Sequence, residues 1–162
     1  MSFETLCPAW DRPAPFTLSV EVQSPHIDLM RHTNNVVYLQ WLEAVAWSHS
    51  QHLGLGPAEY EALGHGMVVR RHELNYIQAT RLGEHLSLAT WLTQVDRLST
   101  HRCYQFIRED DGQTVFRGST HFVCVDIAEG RIRRKLAPHA LIHTERGRGY
   151  RLQHEHAGAA LD

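Results

Sequence analysis

Residues 25–35, Pro-His-Ile-Asp-Leu-Met-Arg-His-Thr-Asn-Asn, hold the chain's densest set of groups able to do chemistry. A carboxylate (Asp28), two imidazoles (His26 and His32), a guanidinium (Arg31) and two amides (Asn34 and Asn35) precede an apolar run there. Such a set suits acyl transfer. Backbone N–H groups at a helix start can hold a developing oxyanion, while Asp28 acts as a nucleophile or as the general base for water. The same residues also describe an Asx-turn and cap leading into a helix, and by residue type alone that plainer use is the commoner one.

The elements that must position these groups follow from periodicity. Phe16, Leu18, Val20 and Val22 alternate with polar residues, which predicts a half-buried strand just before the cluster. A helix is predicted from about Asn34 to Leu53, stopped by Gly54, Gly56 and Pro57. Its first half is apolar nearly all round, so burial on most sides is expected. A short helical turn is expected at 57–63, then strands at 67–76, 86–95, 101–108 and 114–126. Hairpin-length loops predict a meander of these four and hence an antiparallel sheet curled around one long helix, an α+β fold. Residues 138–145 are read as a short terminal helix. The expected organisation is a single domain over 1–162, with its core at about 16–136 and peripheral tails at 1–15 and 144–162.

Composition narrows the partners. With 162 residues, 16 basic against 18 acidic side chains and a net charge of -2, the chain offers no basic footprint for nucleic acid. No run approaches the roughly 18 apolar residues of a membrane helix, and no basic-then-apolar leader opens the chain. Cys7, Cys103 and Cys124 lack CxxC spacing and fit a reducing compartment, so the cytoplasm is the expected location. The 13 histidines raise a metal site, but His49 with His52, or His154 with His156, lack zinc-ligand spacing. No metal and no organic cofactor are expected. No Gly-x-Ser-x-Gly elbow supports a serine hydrolase.

The pattern His26-x-Asp28-x-x-x-His32-x-Asn34-Asn35-x-x-Tyr38-Leu39-x-Trp41-Leu42-Glu43 resembles the entry signature of hotdog-fold thioesterases, the group that includes 4-hydroxybenzoyl-CoA and long-chain acyl-CoA thioesterases. Segments 68–76, 81–84 and 120–126 extend the resemblance, which covers about residues 16–136. It implies a hotdog fold, an acyl-CoA substrate, and a homodimer or homotetramer with active sites across the dimer interface. It implies catalytic positions at Asp28, His32, Asn34 and Asn35, with Asn35 giving a backbone N–H to the thioester carbonyl. Arg97 and Ser99, in a turn that resembles a CoA-contacting one, are the implied CoA-binding residues. Medium- to long-chain fatty acyl groups are the expected substrates.

The chain departs from the family pattern at Ile77-Gln78-Ala79, where many relatives resemble Arg-Arg-Pro, and at Arg31, often glycine. Arg131, Arg133, Arg134 and Lys135 form a second basic run, read as a solvated face before a phosphate contact. Trp41, Trp47, Met67 and Tyr60 are candidates for an acyl pocket. Two other readings remain: a non-catalytic acyl-CoA-binding hotdog module, and an enoyl-thioester hydratase or dehydratase, which the absence of Asn-Pro after Asp28 disfavours.

Overall fold

Alternating burial along Phe16–Glu21 makes this segment the first strand, β1, with Phe16, Leu18 and Val20 packed on the core. In the structure, a computed structural model that describes residues 9–128, 141–145 and 149–153, a single 3-10 turn at Ser24–His26 follows β1. The long helix α1 then runs over Asn35–His52, roughly 27 Å at 1.5 Å per residue. Helix α2 occupies Pro57–Leu63, with the Glu59 carboxylate accepting the Gly56 N–H at 2.8 Å. Four long strands come next: β2 at His65–Tyr76, β3 at His85–Val95, β4 at Ser99–Arg108 and β5 at Thr114–Asp126.

The sheet order is β1-β3-β4-β5-β2, antiparallel throughout. The expected four-strand meander therefore holds only for β3, β4 and β5. β2 pairs with β5 at the far edge, and β3 pairs with β1. The segment 77–84 is too long for a tight hairpin, and it crosses the N-terminal end of α1 to place β3 beside β1. Irregularities between Val69 and Arg71, Leu92 and Gln94, and Phe106 and Ile107 help bend the sheet around the helix.

α1 buries one face. Val37, Tyr38, Trp41, Leu42 and Val45 pack into a core with Leu86, Leu88, Phe106, Val115 and Phe116. Burial on most sides does not occur: Val36 remains 52% exposed and Trp47 40% exposed. The surplus apolar positions face a cavity instead, described below. On the outer face of the sheet, Gln105 accepts from the Asp11 N–H at 2.7 Å and donates to the Ala9 carbonyl at 3.1 Å, while Asp11 pairs with Arg117 at 2.7 Å. That contact docks the described part of the N-terminal segment. Leu141–Glu145 and Gly149–Gln153 form an antiparallel hairpin, β6 and β7. The terminal helix read over 138–145 is thus a strand from 141 on; its first three residues lie outside the described residues, as do Cys7, the basic run at 131–135, His154 and His156.

A buried hydroxyl network ties the crossing segment to the helix. The Thr33 N–H donates to the Thr80 carbonyl at 2.9 Å, and the Thr80 hydroxyl donates to Thr33 Oγ1 at 2.6 Å. Tyr38 Oη lies 2.9 Å from Thr80 Oγ1, and burial pushes this phenol's pKa up. Thr33, Tyr38 and Thr80 are all buried, so removing one partner leaves a desolvated hydroxyl unpaired. Thr80→Val, which keeps the shape, is expected to lose ~1–3 kcal/mol in urea unfolding with an unchanged m-value; an unchanged midpoint would show that the network contributes nothing.

Candidate active site

The predicted polar cluster folds as a tight hairpin that feeds the start of α1. The Asp28 N–H donates to the His32 carbonyl at 2.9 Å, the Asn34 N–H donates to the His26 carbonyl at 2.9 Å, and Ile27 bridges Thr33. Asp28 therefore stands opposite His32, next to the helix N-terminus. The turn is closed by the Arg31 N–H donating to the Asp28 carbonyl at 3.0 Å. Arg31 adopts a left-handed backbone, φ 61°. Glycine reaches this conformation without steric cost, which an arginine does not. The arginine side chain is exposed, as its solvated reading holds.

Asp28 Oδ1 accepts the N–H of Met30 at 2.8 Å and of His32 at 3.3 Å. That is the Asx-turn of the plain reading, and it is present. It uses only one carboxylate oxygen: among the described residues Oδ2 has no hydrogen-bond partner. The His32 and Asn35 side chains likewise make no hydrogen bond among the described residues, while His26 Nδ1 accepts the Gln23 N–H at 3.0 Å and its ring meets Trp41 edge-on.

The helix start decides which amide is free. Asn34 is the N-cap: its side chain accepts the Val36 N–H at 3.0 Å and its carbonyl the Val37 N–H at 2.9 Å. The Asn35 N–H, at the first helical position, has no acceptor among the described residues. One donor at the positive end of the helix dipole remains for an incoming oxyanion. Tyr76 Oη braces this residue by donating to the Asn35 carbonyl at 3.4 Å.

Beside that donor a cavity of about 840 Å³ opens between α1 and the concave face of β2, β4 and β5. It begins at Val36 and Leu39 and continues past Trp47 to Ser50 and Tyr60. Of the four pocket candidates, Trp47, Met67 and Tyr60 line it. Trp41 does not; it is buried on the opposite side of α1 against Tyr38 and Phe106.

Arg97 and Ser99 lie elsewhere. β3 leaves the β1 end of the sheet at His85, next to the hairpin, and reaches their turn after Val95, about 33 Å away at 3.3 Å per residue. Within one protomer they do not share the Asp28 site. The Ser99 hydroxyl is bound to Asp96 Oδ2 at 2.8 Å, and the N–H groups of Leu98 and Ser99 hold Asp96 Oδ1, which lowers the Asp96 pKa. Arg97 is exposed.

Sequence reasoning did not single out Arg102, and it weighed His49 only as a metal ligand. Arg102 shares strand parity with Tyr104 and Phe106, so its inward direction was readable from the alternation of β4. Its Nη1 lies 2.8 Å from His49 Nδ1. A guanidinium can only donate, so His49 is a neutral imidazole accepting at Nδ1. Burial, then Arg102, then His52 bring the His49 pKa down to about 4. Among the described residues, no group of three or more His, Cys, Asp or Glu converges as a metal site, and no helix is long and apolar enough to cross a membrane.

The sequence pattern of the Thioesterase-like superfamily matches residues 22–143, spanning the hairpin, α1, α2 and strands β2 to β5. The chain belongs to this superfamily. It is 28% identical over 128 residues to the long-chain acyl-CoA thioesterase FadM of Escherichia coli, covering 72% of this chain and 93% of that protein. Its fold matches a DHNA-CoA thioesterase from Staphylococcus aureus (TM-score 0.67, 23% identity, 73% of this chain and 78% of that one). It also matches the Staphylococcus aureus protein SAV2348, solved in complex with CoA (TM-score 0.69, 19% identity, 74% and 75% covered). The hotdog fold and thioester hydrolysis implied by the sequence thus hold for this chain.

His49 also generates a pH dependence. Its folded pKa lies below the unfolded 6.5, so between about 6.5 and 4 the unfolded chain binds the extra proton and stability falls as pH falls. The wild-type urea midpoint is expected to drop more steeply from pH 7 to pH 4.5 than that of His49→Gln, which keeps an acceptor for Arg102; parallel curves would refute a neutral buried His49.

Proposed function

We propose that this thioester hydrolase cleaves medium- to long-chain fatty acyl-CoA, with Asp28 as its catalytic carboxylate and the Asn35 N–H as its oxyanion donor. The observation that carries this reading is that one short hairpin and the helix start it feeds leave a carboxylate oxygen and an N–H free among the described residues, next to Val36, where the lining of an apolar cavity begins. FadM, named for long-chain acyl-CoA, supports the choice of acyl group.

In the general-base form, Asp28 Oδ2 takes a proton from water, whose oxygen attacks the thioester carbonyl carbon. The carbonyl oxygen gains the charge and accepts from the Asn35 N–H. Collapse of the adduct breaks the C–S bond, and the proton on Asp28 passes to the leaving thiolate of CoA. In the nucleophilic form, Oδ2 itself attacks the carbonyl carbon, the C–S bond breaks to release the CoA thiolate, and water hydrolyses the resulting anhydride, freeing the acid and the Asp28 carboxylate and supplying the thiolate's proton. His32, facing Asp28 across the hairpin, orients the water. Asn34 acts through the cap: by taking the Val36 N–H it leaves Asn35 as the free donor.

Because Arg97 and Ser99 lie at the far end of their own sheet, we assign them to the CoA of a second protomer's site. The long β2 edge, exposed through positions 68–73 and carrying the half-exposed Val68 and Val69, supports pairing of two copies there. Ser99 braces the turn through Asp96 and Arg97 supplies the charge for a phosphate. No further cofactor enters the reaction.

Asp28→Asn keeps an oxygen to accept the Met30 and His32 N–H groups, so the variant is expected to fold. Thiol release from a panel of short-, medium- and long-chain and benzoyl-type CoA thioesters is expected to fall ~10²–10⁴-fold in kcat; near-normal turnover would remove Asp28 from the mechanism. No release from any ester by the folded wild type would leave a binding module. Arg97→Ala is expected to raise KM for CoA esters severalfold with kcat little changed, and an unchanged KM would end its assignment to CoA.

A further inference from the structure

The far end of the cavity carries a buried cation with no counter-ion. Arg102 is 5% exposed, lines the cavity, and pairs with no carboxylate among the described residues. Its contacts are all neutral. Nη1 meets His49 Nδ1 at 2.8 Å and Thr90 Oγ1 at 3.3 Å, and Nη2 donates to Ser50 Oγ at 3.4 Å. Those bonds leave the Nε–H and one Nη2 hydrogen without an acceptor among the described residues. Glu43 and Glu61 also reach the cavity wall, but on exposed positions, and neither pairs with Arg102. A buried charge without a partner is costly, and the site is best explained if a ligand brings the opposite charge.

Geometry says which part of the ligand that is. From Val36 to Ser50 the cavity follows α1 for fourteen residues, about 21 Å at 1.5 Å per residue. A thioester carbonyl at Asn35 therefore places the distal end of a long acyl chain beside Arg102, Ser50 and Tyr60. Between the two ends Leu39, Ala46, Trp47, Met67 and Phe122 give the wall an apolar stretch, with Gln40, Glu43 and His72 beside it.

Resting on the thioesterase reading, we infer that Arg102 is a specificity-determining residue and that the preferred substrate is a long acyl-CoA whose far end carries a carboxylate. The guanidinium would meet that carboxylate through its two free hydrogens, a charge-assisted pair in a desolvated pocket. A methyl-ended chain in the same place would leave the cation bare.

The test compares two CoA esters of equal chain length, one ending in methyl and one in carboxylate, against wild type, Arg102→Met and Arg102→Lys. Wild type is expected to favour the carboxylate-ended ester in kcat/KM, and Arg102→Met to lower that preference ~10–100-fold. Arg102→Lys should retain part of it. A wild-type preference for the methyl-ended ester overturns the inference, and so does an Arg102→Met variant that loses both substrates in the same proportion, the mark of a structural role. If wild type hydrolyses neither ester, the reaction reading fails by itself. Calorimetry with the two non-hydrolysable thioether analogues then decides the pocket: tighter binding of the carboxylate-ended analogue, abolished in Arg102→Met, upholds the inference, and equal affinities overturn it.

Discussion

One apolar helix must be covered by one sheet, and both the shape of the sheet and the place of the site follow from that requirement. α1 presents Val37, Tyr38, Trp41, Leu42 and Val45 to the sheet, and the aromatic rings of Tyr38, Trp41, Phe106 and Phe116 interlock at its N-terminal half. A flat sheet cannot wrap a cylinder, so the strands are bent at their irregular positions. The N-terminal end of the helix is the fixed end, held by the buried hydroxyls of Thr33, Thr80 and Tyr38. Chemistry placed there has a rigid support.

The hairpin before the helix shows how a structural motif can leave reactive groups free in the same residues. Asn34 caps, Asp28 closes an Asx-turn, and both roles are complete in the resting structure. Each role consumes only part of what the groups offer. Two acceptors on Asn34 remove two helix-start N–H groups, and one oxygen of Asp28 holds the turn. What remains, Oδ2 and the Asn35 N–H, is held in place by the very bonds that occupy the rest. The plain reading of this segment and the proposed catalytic one are therefore compatible in one arrangement.

The opposite, C-terminal half of α1 is less completely packed. Its outward apolar residues line a cavity rather than a core, and at the end of that cavity a guanidinium is held by a neutral imidazole and two hydroxyls, with no carboxylate on it among the described residues. Burial and that same cation keep His49 uncharged. A buried guanidinium without a carboxylate beside it costs stability, a cost that the proposed ligand carboxylate would offset.

The sequence by itself determined the elements from β1 to β5 and the polar hairpin that holds the candidate site, though not the strand at Leu141–Glu145. Period-two alternation in 16–22, the Asn34 cap, the Gly-Pro stop after α1 and the Asp28 to Asn35 spacing are local signals, carried by residues a few positions apart. Only the tertiary structure decided which strand lies beside which, because pairing depends on where the 77–84 segment crosses the helix and not on any strand's own pattern. That crossing put β2 at the edge and the Arg97 turn far from Asp28. It also divided the tryptophans of one helix between core and cavity. Arg102 makes the limit plain: strand parity gives its direction, but its burial beside His49 depends on a helix residue 53 positions away in sequence, a contact that exists only once sheet and helix have closed on each other.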